Sequence, residues 1–115
     1  MTPAARASAA IEVLADIAAR KRPAADALKD WGLAHRFAGS GDRAVIGNIV
    51  FDALRRRASF AYAMGDESPR ALVLRTLVSS WGLTPDDVAA LADGGRVAPP
   101  PLTPGEIEGL KRETP

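Results

Sequence analysis

The sequence of 115 residues contains no cysteine and a single histidine, His35. The absence of cysteine excludes a disulfide framework, a thiolate metal site and a cysteine nucleophile within this chain. No group of carboxylates accompanies His35, so we expect a helix residue there rather than a metal ligand. The sequence also lacks a paired-carboxylate motif, a nucleophile–base pair and a P-loop. We therefore expect no catalytic residue, no metal and no bound cofactor in this chain.

Long hydrophobic runs are also missing. No apolar stretch approaches the roughly 20 residues that a membrane-spanning helix requires. Near the N-terminus, Glu12 and Asp16 interrupt the apolar pattern, which excludes a secretory signal. The sequence therefore predicts a cytoplasmic protein without a membrane partner.

Residues that favour β-strands are scarce: only 5% of the residues are aromatic, whereas alanine occurs 23 times. Alanine is the best helix former, and no segment shows the period-two alternation of a strand. Thr2-Pro3, Ser68-Pro69 and Thr84-Pro85 are typical helix starts. The sequence therefore predicts an all-α bundle of about five to six helices, with Trp31 and Trp81 in its core.

The chain is long enough for one small domain. Residues 1–93 are predicted to form the helical domain. Residues 94–115 are rich in proline and glycine and are predicted to be a linker or tail with a weak helix from Thr103 to about Lys111. The strongest predicted helix covers residues 42–57, and residues 59–64 either continue it or form a short further turn.

Positive charge is concentrated in the first half of the chain. Residues 1–57 contain 10 Lys and Arg against 6 Asp and Glu, whereas residues 58–115 contain 5 against 8. Two basic runs occur where helices are predicted to end, at residues 20–22 and 55–57. Such runs stabilise the negative end of a helix dipole, or they contact phosphates if the two helix ends lie close together.

The segment from Gly39 to Ala44 matches a glycine-rich phosphate-binding pattern and opens a helix. Dinucleotide binding would require a preceding strand and an acidic residue about 20 residues further on, and both are missing. The pattern is therefore better explained as a flexible loop before a helix. Its backbone N–H groups remain available for an RNA phosphate.

Residues 34–46 (AHRFAGSGDRAVI) and 48–57 (NIVFDALRRR) share a pattern with a known family. An Asp-Arg pair opens a helix, and an aliphatic and aromatic stretch then ends in Leu-Arg-Arg. Over roughly residues 4–92 the chain resembles the NusB-like N-terminal domain of the RsmB/Sun/Nop family of ribosomal RNA cytosine-5 methyltransferases. After Gly65 the sequence departs from the family pattern.

The resemblance implies an RNA-binding accessory domain that positions ribosomal RNA for a downstream catalytic domain. That domain would transfer a methyl group from S-adenosylmethionine by means of a cysteine, so it lies outside this chain. The chain is then either the N-terminal part of a longer enzyme or a stand-alone relative. The expected phosphate contacts are Arg43, Arg55, Arg56 and Arg57, followed by Arg20, Lys21, Arg22 and Arg36.

Two other functions are compatible with a small helical bundle. The first is a stand-alone NusB-like module for protein interaction or antitermination, in which the acidic second half binds a basic partner or the missing catalytic domain. The second is a helix-turn-helix DNA-binding protein. A recognition helix carries polar base-reading side chains at its start, whereas the helix after Gly41 begins with Ala44, Val45 and Ile46, which argues against DNA reading.

Overall fold

The computed structural model describes residues 1–113, and within this range all regular secondary structure is helical. This confirms the all-α class. The seven helices are α1 (Pro3–Arg20), α2 (Ala24–Ala34), α3 (Ser40–Arg55), α4 (Arg57–Met64), α5 (Pro69–Ser79), α6 (Pro85–Leu91) and α7 (Pro104–Lys111).

Four helices begin with the hydroxyl cap and proline that the sequence indicates. The Thr2 hydroxyl accepts a hydrogen bond from the Ala5 N–H at 3.0 Å, and Ser68 does the same for Ala71 at 3.2 Å. In α6 and α7 the capping threonine is part of a reciprocal capping box. Each cap satisfies backbone donors that the first turn of a helix leaves free.

The centre of the bundle is α5. Residues 71–77 of this helix are all buried, and it packs against α1, α3, α4, α6 and α7. Phe60 of α4, Ile46 of α3 and Leu74 of α5 are among the largest fully buried side chains. The core therefore lies around α5, although the sequence pattern alone predicts only one buried face for it.

Of the two tryptophans expected in the core, one is buried. Trp31 is only 8% exposed, as predicted, but Trp81 is 39% exposed and its assignment to the core was wrong. The prediction assumed that the helix continues to Trp81. Instead α5 ends at Ser79, and the chain turns away through Gly82, whose φ of +72° glycine adopts without strain.

A break at Arg56 separates α3 from α4. Arg56 has φ −114° and ψ 25°, and its backbone N–H still bonds to the carbonyl of Asp52. The further turn expected after the strongest helix is therefore a separate helix, α4. As a consequence, Arg55 and Arg57 belong to different helices.

Residues 94–113, which the sequence marks as a linker or tail, pack against the bundle. The expected weak helix is present as α7, which contacts α4, α5 and α6. Leu110 is 2% exposed and joins the main core. Arg70 donates to both Glu106 carboxylate oxygens, and Arg75 donates to the carbonyls of Gly109 and Leu110. Side chains of α5 thus fix this segment to the domain.

Among the helices of residues 1–113, none combines the length and the apolar character that crossing a bilayer would require.

Candidate nucleic-acid interface

The first basic run lies where α1 ends. Arg20 forms an ion pair with Asp16 at 3.5 Å, and Arg22 is paired with both Asp16 and Asp30. The hydrogen bond between Arg22 and Asp30 raises the pKa of Arg22 and lowers the pKa of Asp30. In these two arginines the positive charge is already balanced by neighbouring carboxylates.

Lys21 differs from its two neighbours. It caps α1 in the left-handed conformation, with φ 50° and ψ 46°, which is uncommon for a residue other than glycine. Its side chain is exposed, and within residues 1–113 it forms no ion pair. Its ammonium group is therefore available to an external anion.

The second basic run is divided by the break between α3 and α4. Arg55 is paired with Asp52. Arg56 lies over the ring of Phe60, with its guanidinium carbon 5.0 Å from the ring centroid. Arg57 is exposed and forms no ion pair with any described residue. Of the three, Arg57 has the most freely available charge.

Lys21 and Arg57 line the same cavity, which has a volume of about 300 Å³. Its walls also include Leu14, Ile17 and Leu54, and Glu67 contributes one carboxylate. The sequence raised phosphate contact on the condition that the two helix ends come close, and these two residues meet that condition. We call this site, defined by Lys21 and Arg57, the basic cleft.

Arg36 and Arg43 lie near the C-terminal end of α2. Arg36 is exposed in the loop between α2 and α3. Arg43 is exposed on the first turns of α3 and crosses Gly32 of α2 so closely that a methyl group there would lie 3.2 Å from its Cδ atom. The side chain of Arg43 thus packs on α2, although the residue as a whole is exposed.

The glycine-rich segment is a loop followed by a helix start. Gly39 is the N-cap of α3, and α2 rather than a strand precedes the loop. The Asp42 carboxylate accepts a hydrogen bond from Arg6 at 3.0 Å, which lowers the pKa of Asp42. A phosphate at this helix start would lie beside the carboxylate of Asp42, which is already paired with Arg6 and with the N-terminal ammonium group.

An aromatic group near the basic residues was not predicted as a functional feature. Trp31 and His35 stack with ring centroids 4.3 Å apart, and Phe37 meets His35 edge-on at 5.9 Å. Phe37 is 74% exposed. The four-residue spacing of Trp31 and His35, which places both on one helix face, is the signal that could have indicated it.

Comparisons with protein-family models, with curated proteins and with solved structures found no match to this chain.

Proposed function

We propose that this chain is the RNA-binding accessory domain of a ribosomal RNA cytosine-5 methyltransferase. Its basic side chains would contact phosphates and hold ribosomal RNA for a catalytic domain that uses S-adenosylmethionine. The sequence resemblance suggests the enzyme class. The observation that carries the RNA-binding part is the basic cleft, in which two cations from distant parts of the chain lie together without a salt-bridge partner among residues 1–113.

The distribution of ion pairs ranks the eight predicted phosphate contacts. An arginine that already has a carboxylate partner must exchange that partner for a phosphate. The net gain in binding free energy is then small. This makes Arg20, Arg22 and Arg55 the weaker candidates. The stronger candidates are Lys21, Arg36, Arg43, Arg56 and Arg57.

The test compares two variants, each of which has lost two positive charges. In the K21Q/R57Q variant the cleft loses both cations. In the R20Q/R55Q control the same number of charges is lost, but each arginine is paired and 69% exposed. Binding is measured by fluorescence anisotropy with a labelled single-stranded RNA of mixed sequence, at several salt concentrations. Circular dichroism verifies that both variants are folded.

The cleft variant is expected to bind RNA more weakly and to show a flatter salt dependence. For single strands the slope of log K against log salt changes by about 0.7 per phosphate contact, so two lost contacts reduce it by about 1.4. The control is expected to change the slope by less than half of this value. Equal slopes for the wild-type protein and K21Q/R57Q would refute the cleft as the RNA site.

A second result would favour a protein-interaction module instead. That function predicts a complex with a catalytic methyltransferase domain, together with no anisotropy change on addition of RNA. Such an outcome would refute the proposed RNA-binding role and leave the acidic second half as the surface to examine.

A further inference from the structure

An open groove of about 500 Å³ lies between the N-terminal half of α1 and the end of α2. Its wall includes Ala5, Ala9 and Glu12 of α1 and the aromatic side chains of Trp31, His35 and Phe37. We call it the aromatic groove. The groove and the basic cleft share no lining residue within residues 1–113, so they are separate sites.

Trp31 lines the groove and carries a buried donor without a partner among the described residues. Trp31 is 92% buried, and its Nε1–H is the one buried side-chain polar group within residues 1–113 that has no hydrogen-bond partner. Buried N–H groups are nearly always paired, so this exception sets Trp31 apart from the other buried side chains. Because the nitrogen is buried, it lies out of reach of a ligand in the groove, and Trp31 contributes to the groove through its ring.

The three rings form a corner suited to a flat molecule. Trp31 and His35 are nearly parallel, at 12°, whereas Phe37 stands at 77° to His35. The Nδ1 atom of His35 is 2.8 Å from the Trp31 carbonyl oxygen, and this contact orients the imidazole. An aromatic ligand can therefore stack on the exposed ring of Phe37 while its edge reaches the other two rings.

Charges around the groove restrict the class of ligand further. The Glu12 carboxylate is exposed and forms no ion pair with a described residue, so it can accept hydrogen bonds from a ligand. Arg36, between His35 and Phe37 in the chain, is exposed and can contact a phosphate. The groove thus combines a stacking surface, an acceptor and a nearby cation. An apolar peptide side chain would use only the first of these features.

We propose that the aromatic groove binds one unpaired base of single-stranded RNA and prefers guanine. Guanine presents its N1–H and its amino group on one edge, and both can donate to the two oxygens of the Glu12 carboxylate while the ring stacks on Phe37. Uracil lacks an amino donor for the carboxylate. Stacking on aromatic side chains is the usual way in which proteins hold unpaired RNA bases. This inference rests on the proposed RNA-binding function and assigns that function a second site.

The test uses Trp31 as the reporter in a W81F background, which removes the second tryptophan of the chain. The probes are the tetranucleotides UUGU and UUUU, and binding is followed by quenching of the Trp31 fluorescence. We expect UUGU to quench the signal and to bind at least about fivefold more tightly than UUUU. E12Q should abolish this preference because it replaces the acceptor carboxylate with an amide.

F37A tests stacking and has a matched control. Phe37 is 74% exposed and Tyr62 on α4 is 75% exposed, but Tyr62 is not part of the groove. F37A should weaken binding of UUGU by roughly fivefold or more, the effect of losing one stacked base, and Y62A should leave it unchanged. Both side chains lie at the surface, so neither variant should unfold the protein.

The outcomes separate the two sites. If F37A and Y62A bind UUGU equally well while K21Q/R57Q binds RNA weakly, the groove proposal is refuted and the cleft proposal stands. If F37A weakens binding and K21Q/R57Q does not, the groove proposal is supported and the cleft is refuted. Quenching of Trp31 by an apolar peptide but by neither tetranucleotide would refute the groove as a base site.

Discussion

Arg70 holds residues 94–113 to the bundle, and its removal should lower stability by a predictable amount. Its Nε atom is 2.7 Å from Oε2 of Glu106, and its Nη2 atom is 3.0 Å from Oε1. The same Nη2 also donates to the carbonyls of Pro100 and Pro101. The two charged side chains are only 24% and 15% exposed. We call this group of contacts the tail clamp.

The R70M variant keeps most of the aliphatic chain and removes every donor of the tail clamp. Hydrogen bonds to charged groups contribute about 1.5–3 kcal/mol net to the free energy of unfolding. The two proline carbonyls can accept hydrogen bonds from water instead. Glu106 keeps its hydrogen bond from the Thr103 N–H at 2.9 Å, which limits the free-energy cost of losing Arg70 as a partner. We therefore expect a loss of about 2–3 kcal/mol in the free energy of unfolding. At roughly 4 °C per kcal/mol, Tm should fall by about 10 °C.

The measurement is urea denaturation followed by far-UV circular dichroism. R96M serves as the control, because Arg96 is an exposed arginine of the same segment without an ion pair among residues 1–113. A double-mutant cycle with E106Q isolates the charge pair and should give a coupling energy of about 1 kcal/mol or more. Hydrogen exchange should show faster opening of α7 in R70M than in the wild-type protein.

A loss below about 0.5 kcal/mol, or additive effects in the cycle, would refute the tail clamp. Residues 94–113 would then not be held to the bundle in solution by this pair. The burial of Leu110 and the hydrogen bonds from Arg75 would remain as their attachment to the bundle.

Three further predictions concern the same region. L110A should cost roughly 3 kcal/mol in chemical denaturation, because Leu110 is 2% exposed within the core. G109A should cost about 1–3 kcal/mol, because a methyl group there would lie 3.0 Å from the Met64 sulfur and 3.1 Å from its Cα atom. Stability should also fall in acid, since the hydrogen bond from Arg70 holds the pKa of Glu106 below its ordinary 4.5. This contribution is present above pH 4.5 and is lost as the pH falls through the folded-state pKa, so thermal melts from pH 6 to pH 3 should show a smaller decrease in R70M.

Each of these three predictions has a result that would contradict it. For Gly109 the control is G105A, since a methyl group at Gly105 approaches only the Thr103 hydroxyl, at 3.9 Å. Equal stabilities of G105A and G109A would mean that α7 does not pack tightly on α4. An L110A protein as stable as the wild type would place Leu110 outside the core. Identical acid profiles of R70M and the wild-type protein would show that Glu106 is not paired.

Local signals in the sequence predicted much of the fold. Thr2, Ser68 and Thr84 mark helix starts because each hydroxyl accepts a hydrogen bond from the backbone N–H three residues further on. The proline that follows each of them has no N–H that needs a partner. The break at Arg56 and the end of α5 before Trp81 were not predicted as such. Both depend on how a helix fits against its neighbours. A prediction from the spacing of apolar residues continues the helix through such points.

The candidate site was predictable only in part. The sequence identified the basic residues. It did not predict that Arg22 pairs with Asp30, or that Arg57 and Lys21 line one cavity. Those relations join residues that do not lie on one helix, and they depend on how the helices pack. The packing of residues 94–113 was missed for the same reason, because Arg70 and Arg75 are separated from their partners by more than 30 positions.

The position of α5 also bears on how the chain folds during synthesis. This helix is buried over residues 71–77 and contacts α1 and α3, which the ribosome makes first. Until α5 emerges, the apolar faces of those earlier helices have no partner and resemble the exposed surfaces on which nascent chains aggregate. Fragments that stop before Pro69 should therefore be insoluble or chaperone-bound, whereas a fragment that includes α5 should collapse into a compact intermediate.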